Sequence, residues 1–123
     1  MHEVGMMENV LRMVKTSARD RGISSVRRIK LVVGELSMVD PDSLRFAFEA
    51  LSEHELFQEH FNLAVLEIEE QALECQCNSC GHRFPGLDFR FTCPFCRAGQ
   101  VKIVSGRELY VDYYEGETLD DQS

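Results

Sequence analysis

The sequence lacks any apolar run of about 18 residues, so no segment of it is long enough to span a bilayer as a helix. Its opening residues lack the basic, apolar, small-residue order of a secretory leader, and the expected setting is the cytoplasm. Positive charge is in short supply: 13 Lys and Arg stand against 21 Asp and Glu, a formal charge of −8. Such a field repels phosphate backbones and argues against general nucleic-acid binding. No cysteine lies outside residues 75–96, and the set of five is odd in number, which suits a metal site in a reducing compartment better than disulfides. Also absent are internal repeats, low-complexity linkers and any His₃ or His₂–carboxylate set at helical spacing. The ligand pattern of a zinc enzyme with an open coordination position is therefore missing, and no local motif supports a Ser/His/Asp or Cys/His nucleophile.

What is present is enough for one modest core: 123 residues, 44% of them hydrophobic. From Val4 to about Arg21, apolar residues recur at Val4, Met7, Leu11, Val14 and Ala18, widened by Met6, Val10 and Met13. That is a core-facing helix ended by Gly22, its methionines there for packing. Val26 to Gly34 reads as a strand, with Ile29, Leu31 and Val33 opposite Arg28 and Lys30. After a short loop, Asp40 and Pro41 supply the N-cap and first residue of a second helix bearing Leu44, Ala47, Phe48 and Leu51. Asn62 to Glu70 alternates as a second strand, Leu63 and Val65 facing away from Leu66 and Ile68. Val101–Val104 and Glu108–Tyr114 read as extended, with Gly106 a bend between them. The expected fold is α+β: a small three-stranded sheet with two helices, plus an inserted zinc-ribbon-like module. Residues 1–72 form the first part of the main domain and 73–99 the module. Residues 100–115 complete the main domain, and 116–123 make a disordered acidic tail.

Cys77/Cys80 and Cys93/Cys96 are two Cys-x-x-Cys pairs twelve residues apart. Each pair can turn as a tight knuckle with backbone N–H groups aimed at sulfur, and two facing knuckles close a tetrahedral S₄ site for structural Zn²⁺. Gly81 and Pro94 suit those turns. A tetrathiolate zinc centre would add about two further negative charges. An iron centre on the same four thiolates and a redox dithiol are the alternatives; no helical pattern follows either pair to favour the latter. Cys75 is one residue too close to Cys77 to share a knuckle, and reads as a bystander or a minor alternative ligand. His82 reads as a solvated loop residue able to enter the site if a thiolate is displaced.

The start of the chain offers a second, harder donor set. The Met1 terminal amine, the His2 amide and the His2 imidazole can chelate one ion in fused rings, a set favouring Ni²⁺ or Cu²⁺. A fourth donor would come from Glu3 or a neighbouring side chain. The plain readings are a surface histidine at His2, a first-turn acid at Glu3, an N-cap at Asp40, and solvated His54 and His60 flanking the second helix.

Taken together, Met1-His2-Glu3, the Gly34-Glu35-Leu36-Ser37 loop before Asp40-Pro41, and the run from Glu74 through Cys75, Cys77 and Cys80 to Cys93-Pro94 and Cys96 resemble the HypA/HybF family of nickel metallochaperones for nickel–iron hydrogenase maturation. The resemblance covers the chain except its acidic tail. It implies a non-catalytic carrier that binds Ni²⁺ weakly through Met1, His2, Glu3 and an acidic residue at Asp40, with structural Zn²⁺ on Cys77, Cys80, Cys93 and Cys96. It implies work with a HypB-type GTPase, delivery to the hydrogenase large subunit or its maturation complex, supply of urease in some organisms, and monomeric or homodimeric states. Gly5 departs from the Ser or Thr common near that position, which loosens the helix start without touching a ligand. The alternative function is a zinc-ribbon adaptor or nucleic-acid-binding module. It draws on Arg83, Phe84, Phe89, Arg90, Phe91 and Phe95 and is opposed by the overall charge.

Overall fold

The structure is a computed structural model that describes residues 3–86 and 91–119. The chain divides into two compact units, one built from residues through Leu31, Val39–Glu69 and the stretch from Val111, the other from Val32–Met38 and Glu70–Tyr110. A three-stranded sheet takes β2 (Val65–Gln71), β1 (Ile23–Gly34) and β6 (Leu109–Thr118) in that order, with β1 central. The expected α+β class with an added cysteine-bearing sheet is what the chain adopts.

In the first unit, α1 (Glu3–Asp20) packs against α2 (Pro41–Ser52). Gly22 stops α1 because its φ of 72° is left-handed, and its N–H then reaches the Arg19 carbonyl at 3.1 Å. Met6, Met7, Leu11, Val14 and Ala18 are buried, but Val4 (52% exposed) and Met13 (57%) are not, so the apolar stripe is narrower than its composition suggests. On β1, Val26, Ile29 and Leu31 are buried, whereas Arg28 and Lys30 meet acids of the neighbouring strands. Arg28 pairs with Glu67 at 2.8 Å, and Lys30 with Glu69 at 3.4 Å and Asp112 at 3.8 Å. These partly exposed pairs fix the register more than they add stability, because solvent screens them.

Four expectations are corrected here. β1 begins three residues before Val26, and β2 begins at Val65, leaving Leu63 exposed. A one-turn helix, α3 (Gln58–Phe61), precedes β2 and carries Phe57, His60 and Phe61 inward. His60 is therefore buried beside Phe61 rather than solvated, since one helical turn brings it to the inner face with Phe57 and Phe61. Lys15 anchors that turn, donating to the Leu56 carbonyl at 2.7 Å with its ammonium over the Phe57 ring. Finally, β6 runs to Thr118, past the expected start of the tail, because Gly116 lies against Ile23, Ser25 and Val26. Ser24 Oγ and the Arg27 guanidinium also hold Glu117. Residues 120–123 of that tail lie outside the described residues.

The second unit is an antiparallel sheet in the order β4 (Arg83–Pro85), β3 (Glu74–Cys77), β5 (Val101–Ser105). Val101–Ser105, expected in the main domain, thus pairs with the cysteine segment, Cys75 lying opposite both Phe84 and Ile103. Leu73, Cys75, Cys77, Phe84 and Cys93 form its core, with Leu36, Ala98, Val101 and Ile103 packed on it. Gly106, at φ 114°, makes the bend after β5.

Candidate metal centre

The four sulfurs of Cys77, Cys80, Cys93 and Cys96 converge, all within 4.8 Å of one another. Two matching knuckles put them there. After Cys77, the Ser79 and Cys80 N–H groups donate to its Sγ at 3.3 and 3.4 Å, and the Gly81 N–H closes onto the Cys77 carbonyl at 2.9 Å. After Cys93, Phe95 and Cys96 donate to its Sγ at 3.4 and 3.5 Å, and Arg97 closes onto the Cys93 carbonyl at 2.8 Å. Each closing residue is left-handed: Gly81 at φ 78° and Arg97 at φ 63°. Glycine takes that conformation freely, arginine at some strain, and nothing in the local sequence had marked Arg97 for it.

Across the knuckles, Cys77 Sγ lies 3.5 Å from Cys96 Sγ and Cys80 Sγ 3.7 Å from Cys93 Sγ. A tetrahedron with metal–sulfur bonds of about 2.3 Å has an edge of about 3.8 Å, so the pocket already has the size of an S₄ centre. The thiols are also divided electrostatically. The Cys80 and Ser79 N–H groups hold Cys77 down at about 6, outweighing its burial. Cys93 is buried, which opposes ionisation, but the Cys96 and Phe95 N–H groups bring it below its ordinary value. Cys80 is pushed up to about 12: the His82 N–H opposes this, and burial with the neighbouring thiols prevails. Cys96 is likewise raised, against the pull of the Ala98 N–H, by the Cys77 thiol and burial. Four thiolates cannot coexist so closely without a cation, and a soft divalent ion answers that need.

Cys75 stays outside the four-sulfur group. Its place in β3 turns it into the core, and burial pushes its thiol up and keeps it neutral. His82 is outside the group too; its carbonyl accepts the Cys77 N–H at 2.9 Å and its ring lies against Phe95, centroids 5.1 Å apart. Among the other candidate residues, Met1 and His2 lie outside the described residues, and Glu3 opens α1. Asp40 caps α2: one carboxylate oxygen accepts the Asp42 N–H at 3.2 Å and the other the Ser43 hydroxyl at 2.8 Å.

A small α+β fold carrying four converging thiols, enough to fill the coordination of one tetrahedral ion, has the build of a metal-binding protein. A family model described as "Hydrogenase/urease nickel incorporation, metallochaperone, hypA" matches residues 1–116. Among similar proteins, the hydrogenase maturation factor HypA of Moorella thermoacetica is 40% identical over 117 residues, covering 95% of this chain and 100% of that one. That of Dehalococcoides mccartyi is 32% identical over 123 residues, covering 100% and 98%. The solution structure of the Ni metallochaperone HypA from Helicobacter pylori superposes with a TM-score of 0.65 at 25% identity, covering 96% of this chain and 99% of that one. The chain belongs to the HypA family: it is a hydrogenase nickel metallochaperone, a carrier of metal and not a catalyst.

Proposed function

We propose that the chain binds Ni²⁺ through the Met1 amine, the His2 amide and imidazole, and Glu3, with Asp40 contributing a carboxylate. The family match over residues 1–116 is the observation that carries this reading. Its chemistry is that of a carrier: planar nitrogen donors favour Ni²⁺, and a site of few protein ligands releases its ion readily. The ion on Cys77, Cys80, Cys93 and Cys96 is Zn²⁺, whose role is to supply folding free energy to the module around residues 73–99. The odd, clustered set of five cysteines suits a reducing compartment, the cytoplasm. The recipient is the hydrogenase large subunit or its maturation complex, reached together with a HypB-type GTPase, and urease is a second destination consistent with the family's description.

Calorimetric titration of Ni²⁺ into zinc-loaded protein tests the site. His2→Ala, and separately a Gly-Ser extension before Met1 that removes the free amine beside His2, should each abolish nickel binding while zinc content stays unchanged. One Ni²⁺ bound at the original affinity in both would place the site elsewhere.

A further inference from the structure

The four converging thiols are two unlike pairs. Cys77 and Cys93 open their knuckles and are buried, 1% and 0% exposed, and each sulfur accepts two backbone N–H groups. Cys80 and Cys96 close the knuckles and stand exposed, under one N–H each, of His82 and Ala98. Every N–H draws charge from its sulfur, and burial keeps reagents out, so attack from solvent falls on Cys80 and Cys96. A buried sulfur of the other knuckle waits beside each of them. Cys96 Sγ lies 3.5 Å from Cys77 Sγ, and Cys80 Sγ 3.7 Å from Cys93 Sγ.

We propose that Cys80 and Cys96 are sites of oxidation by hydrogen peroxide, and that the oxidised thiols close as disulfides between the knuckles, Cys77 to Cys96 and Cys80 to Cys93. The starting state rests on the zinc reading proposed above for these four thiolates. The Cys96 thiolate attacks one peroxide oxygen: an S–O bond forms, the O–O bond breaks and hydroxide leaves. Cys77 Sγ then attacks the Cys96 sulfur, an S–S bond replaces the S–O bond, and a second hydroxide leaves. Two electrons pass from the sulfurs to the peroxide, and two protons from solvent turn both hydroxides into water. A second peroxide oxidises Cys80 and Cys93 in the same way, and with no thiolate left the Zn²⁺ ion departs.

The connectivity decides what happens to the fold. Leu73, Cys75, Cys77, Phe84 and Cys93 make a core too small to hold without a staple. A bond between knuckles ties the end of β3 to the second knuckle as the ion did, so the module keeps its shape without metal. Bonds within each knuckle would leave the two halves untied. Cys75, 0% exposed and flanked on the sheet by Phe84 and Ile103, is out of reach and stays a thiol. The module is thus a reversible switch, reset by a thiol reductant and Zn²⁺.

The test uses full-length, zinc-loaded protein and hydrogen peroxide. At limiting peroxide, the sulfenic-acid reagent dimedone should label Cys80 and Cys96 about fivefold more than Cys77 and Cys93. With about two peroxides per chain, a chromogenic chelator should report release of the zinc. Trypsin cuts after Arg45, Arg83, Arg90 and Arg97, so disulfides between knuckles join peptide 46–83 to peptide 91–97, and Cys75 should be recovered alkylated. Amide-exchange protection in β3 and β5 should survive oxidation, yet be lost when a chelator strips zinc from the reduced protein. Labelling of Cys77 or Cys93 first, disulfides confined to each peptide, sulfinic acid in place of disulfide, or protection lost on oxidation would overturn the proposal. Elemental analysis before peroxide is added reports on the ion separately: a metal other than zinc would sink the zinc reading, while the peptide map still decides the thiol chemistry.

Discussion

Gly34 passes so close to Gly106 that a methyl group on Gly34 would overlap the Gly106 carbonyl. The same carbonyl accepts the Leu36 N–H at 2.7 Å, and the Gly34 N–H reaches the Glu108 carbonyl at 2.6 Å. Ser37 folds back, its hydroxyl donating to the Gly34 carbonyl at 2.6 Å. The Gly-Glu-Leu-Ser stretch is therefore a joint of backbone against backbone, with Leu36 inserted into the second unit's core. Gly34 has an ordinary φ of −79°, so its need is for space and not for conformational freedom. Gly34→Ala should destabilise the protein by about 1–3 kcal/mol through this clash, read as a lower urea midpoint with an unchanged m-value. A midpoint at the wild-type value would mean the joint relaxes without strain.

Cys75 and Cys96 should part company under substitution. Cys96→Ser removes one of four ligands, and elemental analysis should find the bound zinc lost or greatly reduced. Cys75→Ser keeps all four ligands, so zinc should stay at one per chain while stability falls by about 1–3 kcal/mol from burying a hydroxyl in an apolar core. Zinc loss in Cys75→Ser would return Cys75 to the ligand set.

His60 gives the fold a direction on the pH scale. Burial lowers its pKa from the ordinary 6.5, opposed by Glu59 and helped by Lys15 and Arg19, and its Nδ1 has no hydrogen-bond partner. In the unfolded chain it titrates normally, so below 6.5 the unfolded state binds more protons and stability falls as pH drops toward the lowered folded value. The loss from this residue should be absent above about pH 7.5 and present at about pH 5.5. His60→Leu should flatten that part of the profile; an unchanged profile would assign the pH dependence to other groups.

Asp40 has two roles that substitution can separate. As N-cap, its loss in Asp40→Ala should cost about 1 kcal/mol, whereas Asp40→Asn should keep the cap and most of the stability. If the carboxylate also serves nickel, both variants should weaken Ni²⁺ binding equally. Wild-type nickel affinity in Asp40→Asn would confine Asp40 to capping α2.

Much of this was legible before any coordinates. Local rules suffice where a residue's role depends on near neighbours. Gly22 and Asp40 mark helix ends, and the two Cys-x-x-Cys pairs need only short-range turns to aim N–H groups at sulfur. What failed in the reading were features set by distant partners. Val4 has helical spacing with Met7 yet lies in a cleft with Phe46, because periodicity cannot say how far a neighbouring helix covers a stripe. His60 looked solvated because the four-residue α3 is too short to show a period. Val101–Ser105 was placed in the main domain yet pairs with β3, since extended residues pair equally well with either strand set.

The sequence by itself determined the α+β class, which four cysteines converge and the cap of α2, all consequences of spacing along the chain. Only the tertiary structure decided that Cys75 lies in the core outside the four-sulfur group, that His60 is buried, that Gly34 must be free of a side chain, and that Phe46 and Val4 line a common cleft. Each of these depends on which surfaces pack against which, and hydrophobic burial is non-directional: it rewards covering an apolar face without specifying, in any one segment, what does the covering.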